Sequence, residues 1–150
     1  MPRRASMNPR FRTQDVAKTS FVNYLKKSDE CYKAAAESLS RNHWNAAAIC
    51  AVHSCIAACD AYCIYFLGKR HQGSNHNDAI LLFAAIKPAD EQLKNSANRL
   101  RGILGIKNMA EYEERLVRRG EAEKAFKDAE RFLAFVRKAL PEPQVKNSES

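Results

Sequence analysis

The sequence contains few residues that interrupt helices, with 5 glycines and 5 prolines among 150 residues. This low content excludes collagen-like chains and the low-complexity classes that are rich in both residues. No apolar segment opens the chain, so a secretory signal is not predicted. Neither the alternation of a strand nor an internal repeat is found. We therefore expect one all-α domain in the cytoplasm.

Positive charge is unevenly distributed along the chain. Lysine and arginine total 25 against 17 acidic residues, which gives a net charge of +8. Part of the excess lies in the first twelve residues, which contain no acid and carry Arg3, Arg4, Arg10 and Arg12. We predict a disordered basic tail at 1–12, a single helical domain at 13–140 and a flexible tail at 141–150. The mildly basic domain suits RNA or a nucleotide as partner without requiring either.

Apolar side chains recur at helical spacing through most of the chain. The spacing predicts a first helix over residues 13–39, a second over 44–67 that ends at Gly68, and a last over 121–140. A third helix is predicted to start near Asn75, and residues 89–104 continue it after Pro88. The segment "IKNMAEYEERLV" is predicted as a short helical connector. The expected architecture is an antiparallel up-and-down bundle of four main helices plus short connecting helices.

The second helix, "WNAAAICAVHSCIAACDAYCIYFL", is apolar on nearly every side and long enough to span a membrane. It is rich in alanine and cysteine rather than leucine, and Asp60 interrupts it. A carboxylate near the centre of a span costs about 2.5–3.5 kcal/mol on insertion scales. We therefore predict the central helix of a soluble bundle and no membrane association.

Three of the five cysteines lie four residues apart on the second helix, at Cys55, Cys59 and Cys63. Side chains at this spacing run parallel, which is poor geometry for a disulfide. No close cysteine pair lies on a turn of the kind that zinc sites use. Free cysteine in a helix packs as a small apolar residue. We therefore expect reduced thiols in the core, with no metal and no cofactor.

Two groups of polar residues are candidates for a functional site. His53 and Asp60 are seven residues apart on one face of the second helix, too far to touch but able to address one site. Each can equally be a buried polar residue satisfied by a neighbouring helix. Arg70 and His76 lie in the following loop, where arginine suits phosphate and histidine can transfer a proton near neutral pH. Such a pair is the minimum needed to cleave RNA without a metal, although a solvated loop would show the same spacing.

Three longer segments together resemble the HEPN domain (higher eukaryotes and prokaryotes nucleotide-binding). They are the "A-x-H-x-x-I-A-A-x-D-A" pattern in the second helix, the "N-H-x-D-A-I-x-L-L" start of the third, and the "K-N-x-A-E-Y" connector. The resemblance covers roughly residues 18–140. It implies a bundle of four to five helices that usually dimerises.

Many HEPN proteins are metal-independent endoribonucleases, often of toxin–antitoxin or phage-defence systems, so the resemblance also implies a function. Their usual mark is an arginine and a histidine separated by four to six residues, and Arg70 and His76 have five between them. The resemblance thus assigns Arg70 and His76 as catalytic, with Lys69, His71, His53 and Asp60 binding substrate. An antitoxin or another partner protein is implied as well. In many members the motif lies near a later helix, which here is "GIKNMAEYEER" and has no histidine. Other branches lack the pair, so a non-catalytic module that binds a partner protein or a nucleotide is the alternative.

Overall fold

The computed structural model of the chain describes residues 12–73 and 75–142. These residues form five α-helices and one small two-stranded antiparallel sheet. The helices are α1 (Phe21–Ser40), α2 (Trp44–Leu67), α3 (Asn77–Ala84), α4 (Glu91–Tyr112) and α5 (Arg119–Ala139). Strands β1 (Thr13–Asp15) and β2 (Lys69–His71) pair antiparallel, and a 3-10 turn over Lys18–Ser20 leads into α1. The predicted all-α class is confirmed. The tails predicted at 1–12 and 141–150 lie almost entirely outside the described residues.

Helix α2 is the centre of the bundle, as predicted. It packs against α1, α3, α4 and α5, and 14 of its 24 residues are buried, compared with 3 of 20 in α1. Small side chains such as Ala51, Ala58 and Ala61 are fully enclosed, which lets neighbouring helices approach closely. The helix has the length and apolarity of a membrane span, yet most of that surface is covered by the rest of the bundle. It ends at Gly68, whose φ of 67° is the left-handed conformation that favours glycine.

The amphipathic stripe of the last helix is also confirmed. Residues of α5 that were predicted to face the core are buried, among them Ala125, Phe132 and Val136. Phe132 packs against Phe83 of α3 with ring centroids 5.5 Å apart. The core therefore joins the last helix to the short α3, which the candidate site residue His76 immediately precedes.

The two-stranded sheet is the main departure from the prediction. Residues 13–15 were assigned to the first helix and 69–74 to a loop, but Thr13 pairs with His71, Gln14 with Arg70 and Asp15 with Lys69. Three-residue strands are too short to show alternation, and their pairing partners are far apart in sequence, so the pattern could not reveal them. The first helix consequently begins at Phe21 rather than at residue 13.

Helix α4 is longer than predicted and absorbs the expected connector. It runs without a break through Gly102 and Gly105 to Tyr112. An isolated glycine costs a helix only about 1 kcal/mol relative to alanine. Burial of Leu104 and Met109 on either side of Gly105 offsets that cost. The "KNMAEY" segment is therefore the end of a long helix rather than a separate short connector.

All five cysteines are free thiols, and Cys55, Cys59 and Cys63 are buried within α2. Burial raises the pKa of Cys55 to about 12, which keeps its thiol protonated at neutral pH. The Cys59 thiol donates to the carbonyl oxygen of Ala79 at 3.6 Å. Among the described residues, no group of three or more His, Cys, Asp or Glu side chains is placed to hold a metal ion.

Candidate functional site

Asp60 is a buried carboxylate that lies between two of the predicted site residues, Arg70 and His71. Its side chain is only 5% exposed, although it lies in the apolar helix α2. Oδ2 accepts hydrogen bonds from Nε and Nη2 of Arg70 at 3.3 and 3.2 Å. On its other side, Oδ1 lies 3.5 Å from Nδ1 of His71. A buried charge needs such partners, so Asp60 holds the side chains of Arg70 and His71 beside it.

The β1–β2 sheet positions Arg70 against Asp60. Gly68 turns the chain back at the end of α2, and its carbonyl oxygen accepts from the backbone N–H of Val16 at 2.9 Å. Gln14 lies opposite Arg70, and its Oε1 accepts from Nη1 at 3.4 Å. The guanidinium also lies 5.7 Å from the ring centroid of Tyr24 on α1. Arg70 is thus held on three sides and keeps 25% of its side chain exposed.

His71 connects this ion pair to His76. The His71 side chain is 1% exposed, and within the described residues neither ring nitrogen makes a hydrogen bond. Its ring contacts that of His76 edge to face, with centroids 5.4 Å apart. His76 is the residue immediately before α3, and its Nδ1 is buried without a partner among the described atoms. The order of contacts is therefore Arg70, Asp60, His71, His76.

The pKa of His76 is lowered from its ordinary value of 6.5. Burial is the main cause, and electrostatic interactions with His71 and Lys107 lower the pKa further, against an opposing contribution from Asp60. At neutral pH the imidazole is therefore uncharged and able to accept a proton. A histidine in this state is suited to act as a general base.

A polar recess of about 100 Å³ lies between the start of α3 and the end of α4. Lys107 is 14% exposed there, and its Nζ donates to Oε1 of Glu111 at 2.8 Å. This hydrogen bond lowers the pKa of Glu111, which stays ionised and holds the ammonium group in place. The recess, called here the His76 recess, is lined by Asn75, His76, Asn77, Leu104, Lys107, Asn108 and Tyr112.

A second recess of about 320 Å³ lies between α1 and α2, on the other side of Asp60. It is lined by Arg70, Asp60 and His53, together with Tyr24, Lys27 and Glu30 of α1. His53 is exposed, and electrostatic interaction with it lowers the pKa values of both His76 and Glu111. A larger, mostly apolar groove of about 380 Å³ between α1 and the end of α5 contains none of these groups.

Most of the predicted site residues come together, but Arg70 and His76 do not share a recess. Asp60 and His71 lie between them, and each of the pair opens into a different cavity. His53 and Asp60 line one cavity, as their seven-residue spacing suggested. Lys69 points elsewhere and donates to Oδ1 of the exposed Asp15 at 2.7 Å. The functional roles assigned to these six residues stay predictions.

Sequence reasoning missed the contribution of α4. Lys107, Asn108 and Tyr112 line the His76 recess, but "KNMAEY" was interpreted only as a connector. One signal was present, because Lys107 and Glu111 have the i,i+4 spacing of a helical ion pair. Their proximity to His76 is a long-range contact that a single sequence does not show.

A model of the HEPN domain family matches residues 22–139. The match covers most of the chain and includes every residue that lines the two polar recesses. No curated protein matches the chain. The resemblance noted in the sequence is thereby confirmed at the level of the family.

Proposed function

This chain belongs to the HEPN family of nucleotide-binding helical modules, and from that premise we propose that it binds RNA and cleaves it without a metal ion. One observation carries the proposal, namely that His76 is uncharged at neutral pH and lies in a recess beside the Lys107 ammonium group. A neutral imidazole beside a fixed cation combines a proton acceptor with a group that attracts phosphate.

In the proposed reaction, His76 takes the proton from a ribose 2′-hydroxyl. The 2′-oxygen then attacks the adjacent phosphorus, the bond to the 5′-oxygen breaks, and water protonates the leaving oxygen. The imidazolium of His76 returns its proton to the resulting hydroxide, which regenerates the base. The products are a 2′,3′-cyclic phosphate and a 5′-hydroxyl. Lys107 gives one N–H to Glu111, and its other two N–H donors stabilise the charge that builds on the non-bridging oxygens.

Arg70 has a different part in this proposal from the one that its spacing suggested. Its Nε and Nη2 already donate to Asp60, so the side-on fork of the guanidinium is occupied by that carboxylate. Its exposed edge faces the second recess, where it attracts the RNA backbone as a fixed positive charge. We propose that Arg70 binds flanking phosphate and, through Asp60 and His71, positions His76.

The binding module without catalysis is the second candidate, and the same ion pair favours it. A guanidinium neutralised by Asp60 contributes less to a transition state than a free one would. On this alternative the two recesses hold a nucleotide or RNA, and His76 only contacts it. Bound RNA would then stay intact.

Incubation of the purified protein with mixed RNA substrates in EDTA distinguishes the two candidates. We expect fragments ending in cyclic phosphate from the wild-type protein and none above background from the Arg70→Ala/His76→Ala double variant. Chelation should leave the rate unchanged, because no metal takes part in the proposed reaction. Binding of RNA with no cleavage above the double variant would replace the ribonuclease by the binding module.

We also propose a homodimer, with α2 at its interface. A stripe of partly exposed residues at helical spacing interrupts the burial of this helix: Ala46, Ile49, Cys50, His53 and Ala57. Its alanine and cysteine side chains are small, which lets a two-fold partner approach closely. The stripe includes His53, so a second copy would lie beside the second recess, where an antitoxin or another partner protein could also bind.

Replacing Ile49 by Arg is expected to convert the dimer to a monomer, because it places an unpaired charge in a close-packed interface. Light scattering at micromolar concentration should give twice 17.0 kDa for the wild-type protein and 17.0 kDa for the variant. Ala134→Arg, which introduces the same side chain on the exposed face of α5, should stay dimeric. A wild-type mass of one chain would contradict the proposal.

A further inference from the structure

Tyr112 is the last residue of α4 and 75% exposed. A single exposed aromatic residue on a protein surface needs no explanation by itself. Tyr112 differs because its ring forms the rim of the His76 recess. The ring therefore stands beside the proposed catalytic base without contributing to the core.

The surroundings of Tyr112 are those of a site for an unstacked base. The Lys107 ammonium group lies 5.9 Å from its ring centroid, and Glu111 holds that ammonium from the other side. Asn75, Asn77 and Asn108 line the same recess, and the side-chain oxygen of Asn75 accepts from the backbone N–H of Asn77 at 3.0 Å. Amide side chains offer both donors and acceptors, which are the groups that read the edge of a base.

We propose that Tyr112 stacks on an unpaired base next to the phosphate at His76, so that the substrate is single-stranded RNA. The inference rests on the proposed function and names its substrate class. A base within a duplex already has both faces covered, whereas an unpaired base can place one face on an aromatic ring. The neighbouring amides then contact the edge of that base, and Lys107 the adjoining phosphate.

The test measures binding separately from cleavage. A fluorescein-labelled single-stranded RNA with 2′-O-methyl groups lacks the attacking hydroxyl, so its anisotropy reports affinity alone. Tyr112→Ala is expected to weaken binding by about 5- to 100-fold, the range that loss of one stacked base gives. Tyr112→Phe keeps the ring and should bind like the wild-type protein. Leu116→Ala removes an apolar side chain that is 72% exposed outside the recess, and it too should leave affinity unchanged.

Two further readouts make the outcome decisive. The same RNA annealed to its complement should bind Tyr112→Ala and wild-type protein equally. A 2-aminopurine base in the single strand should lose emission on the wild-type protein and not on Tyr112→Ala. Equal affinity of Tyr112→Ala and wild type for the single strand would overturn the stacking inference and leave RNA binding intact. A wild-type protein that binds no RNA would overturn the proposed function, and the inference with it.

Discussion

Replacing Asp60 by Ala is expected to lower the free energy of unfolding by about 3 kcal/mol. The change removes the partner of Arg70 and leaves a guanidinium, only 25% exposed, without its counter-charge. It also removes the group nearest to His71, whose ring is buried. Breaking a buried ion pair from one side costs more than deleting it entirely, because the remaining charge stays desolvated. Urea denaturation followed by circular dichroism measures the loss.

A double variant distinguishes the effect of an unpaired charge on stability from the effect of lost packing. Asp60→Leu/Arg70→Met replaces the ion pair by apolar side chains, and such replacements are often neutral in stability. We expect it to be more stable than Asp60→Ala and still inactive, since neither charge is left to position the site. Asp29→Ala is the surface control, because this carboxylate is 41% exposed and pairs with Lys33 and Arg137. It should cost no more than about 1 kcal/mol. An Asp60→Ala loss equal to that of Asp29→Ala would contradict the buried pair.

Replacing His76 by Ala is expected to slow RNA cleavage by about 10²- to 10⁴-fold, the usual contribution of a general base. His76 precedes α3 and its side chain makes no capping hydrogen bond to that helix, so helix content should not change. Single-turnover cleavage of a labelled RNA measures the effect. His43→Ala is the matched control, since His43 is exposed at the start of α2 and lines none of the polar recesses around Asp60. Equal loss in both variants would exclude His76 as the base.

The pH dependence of cleavage gives a second, independent check on His76. Its pKa in the folded protein lies below 6.5, so the uncharged base persists to lower pH than in a free histidine. The rate should be constant near pH 7 and fall only as the pH drops through the lowered pKa. The same shift stabilises the fold above pH 6.5, and that stability is lost as the pH falls through the folded-state pKa. His76→Ala should remove both effects.

The bundle was predictable from the sequence to a much greater extent than the site. Burial of α2 and its end at Gly68 follow from local composition, because an apolar helix and a glycine cap leave their mark within a few residues. The pairing of Arg70 with Asp60 spans ten residues across a turn and was missed. The continuity of α4 was missed because the predicted helix ended at residue 104, before Gly105, and the position of Lys107 near His76 was missed with it. Contacts between distant segments depend on packing angles that a single sequence does not encode visibly.

The β1–β2 sheet also sets an order of events during folding. Gln14 and Arg70, which face each other across it, are 56 residues apart, whereas α1 and α2 are joined by a turn of three residues, 41–43. Closing a long loop costs more chain entropy than closing a short one, so contacts near in sequence form first. We expect α1 and α2 to pack before β1 joins β2 and Arg70 acquires its last neighbours. A nascent or refolding chain would therefore pass through a helical state that has its core but not its complete site, and structure would recover before function.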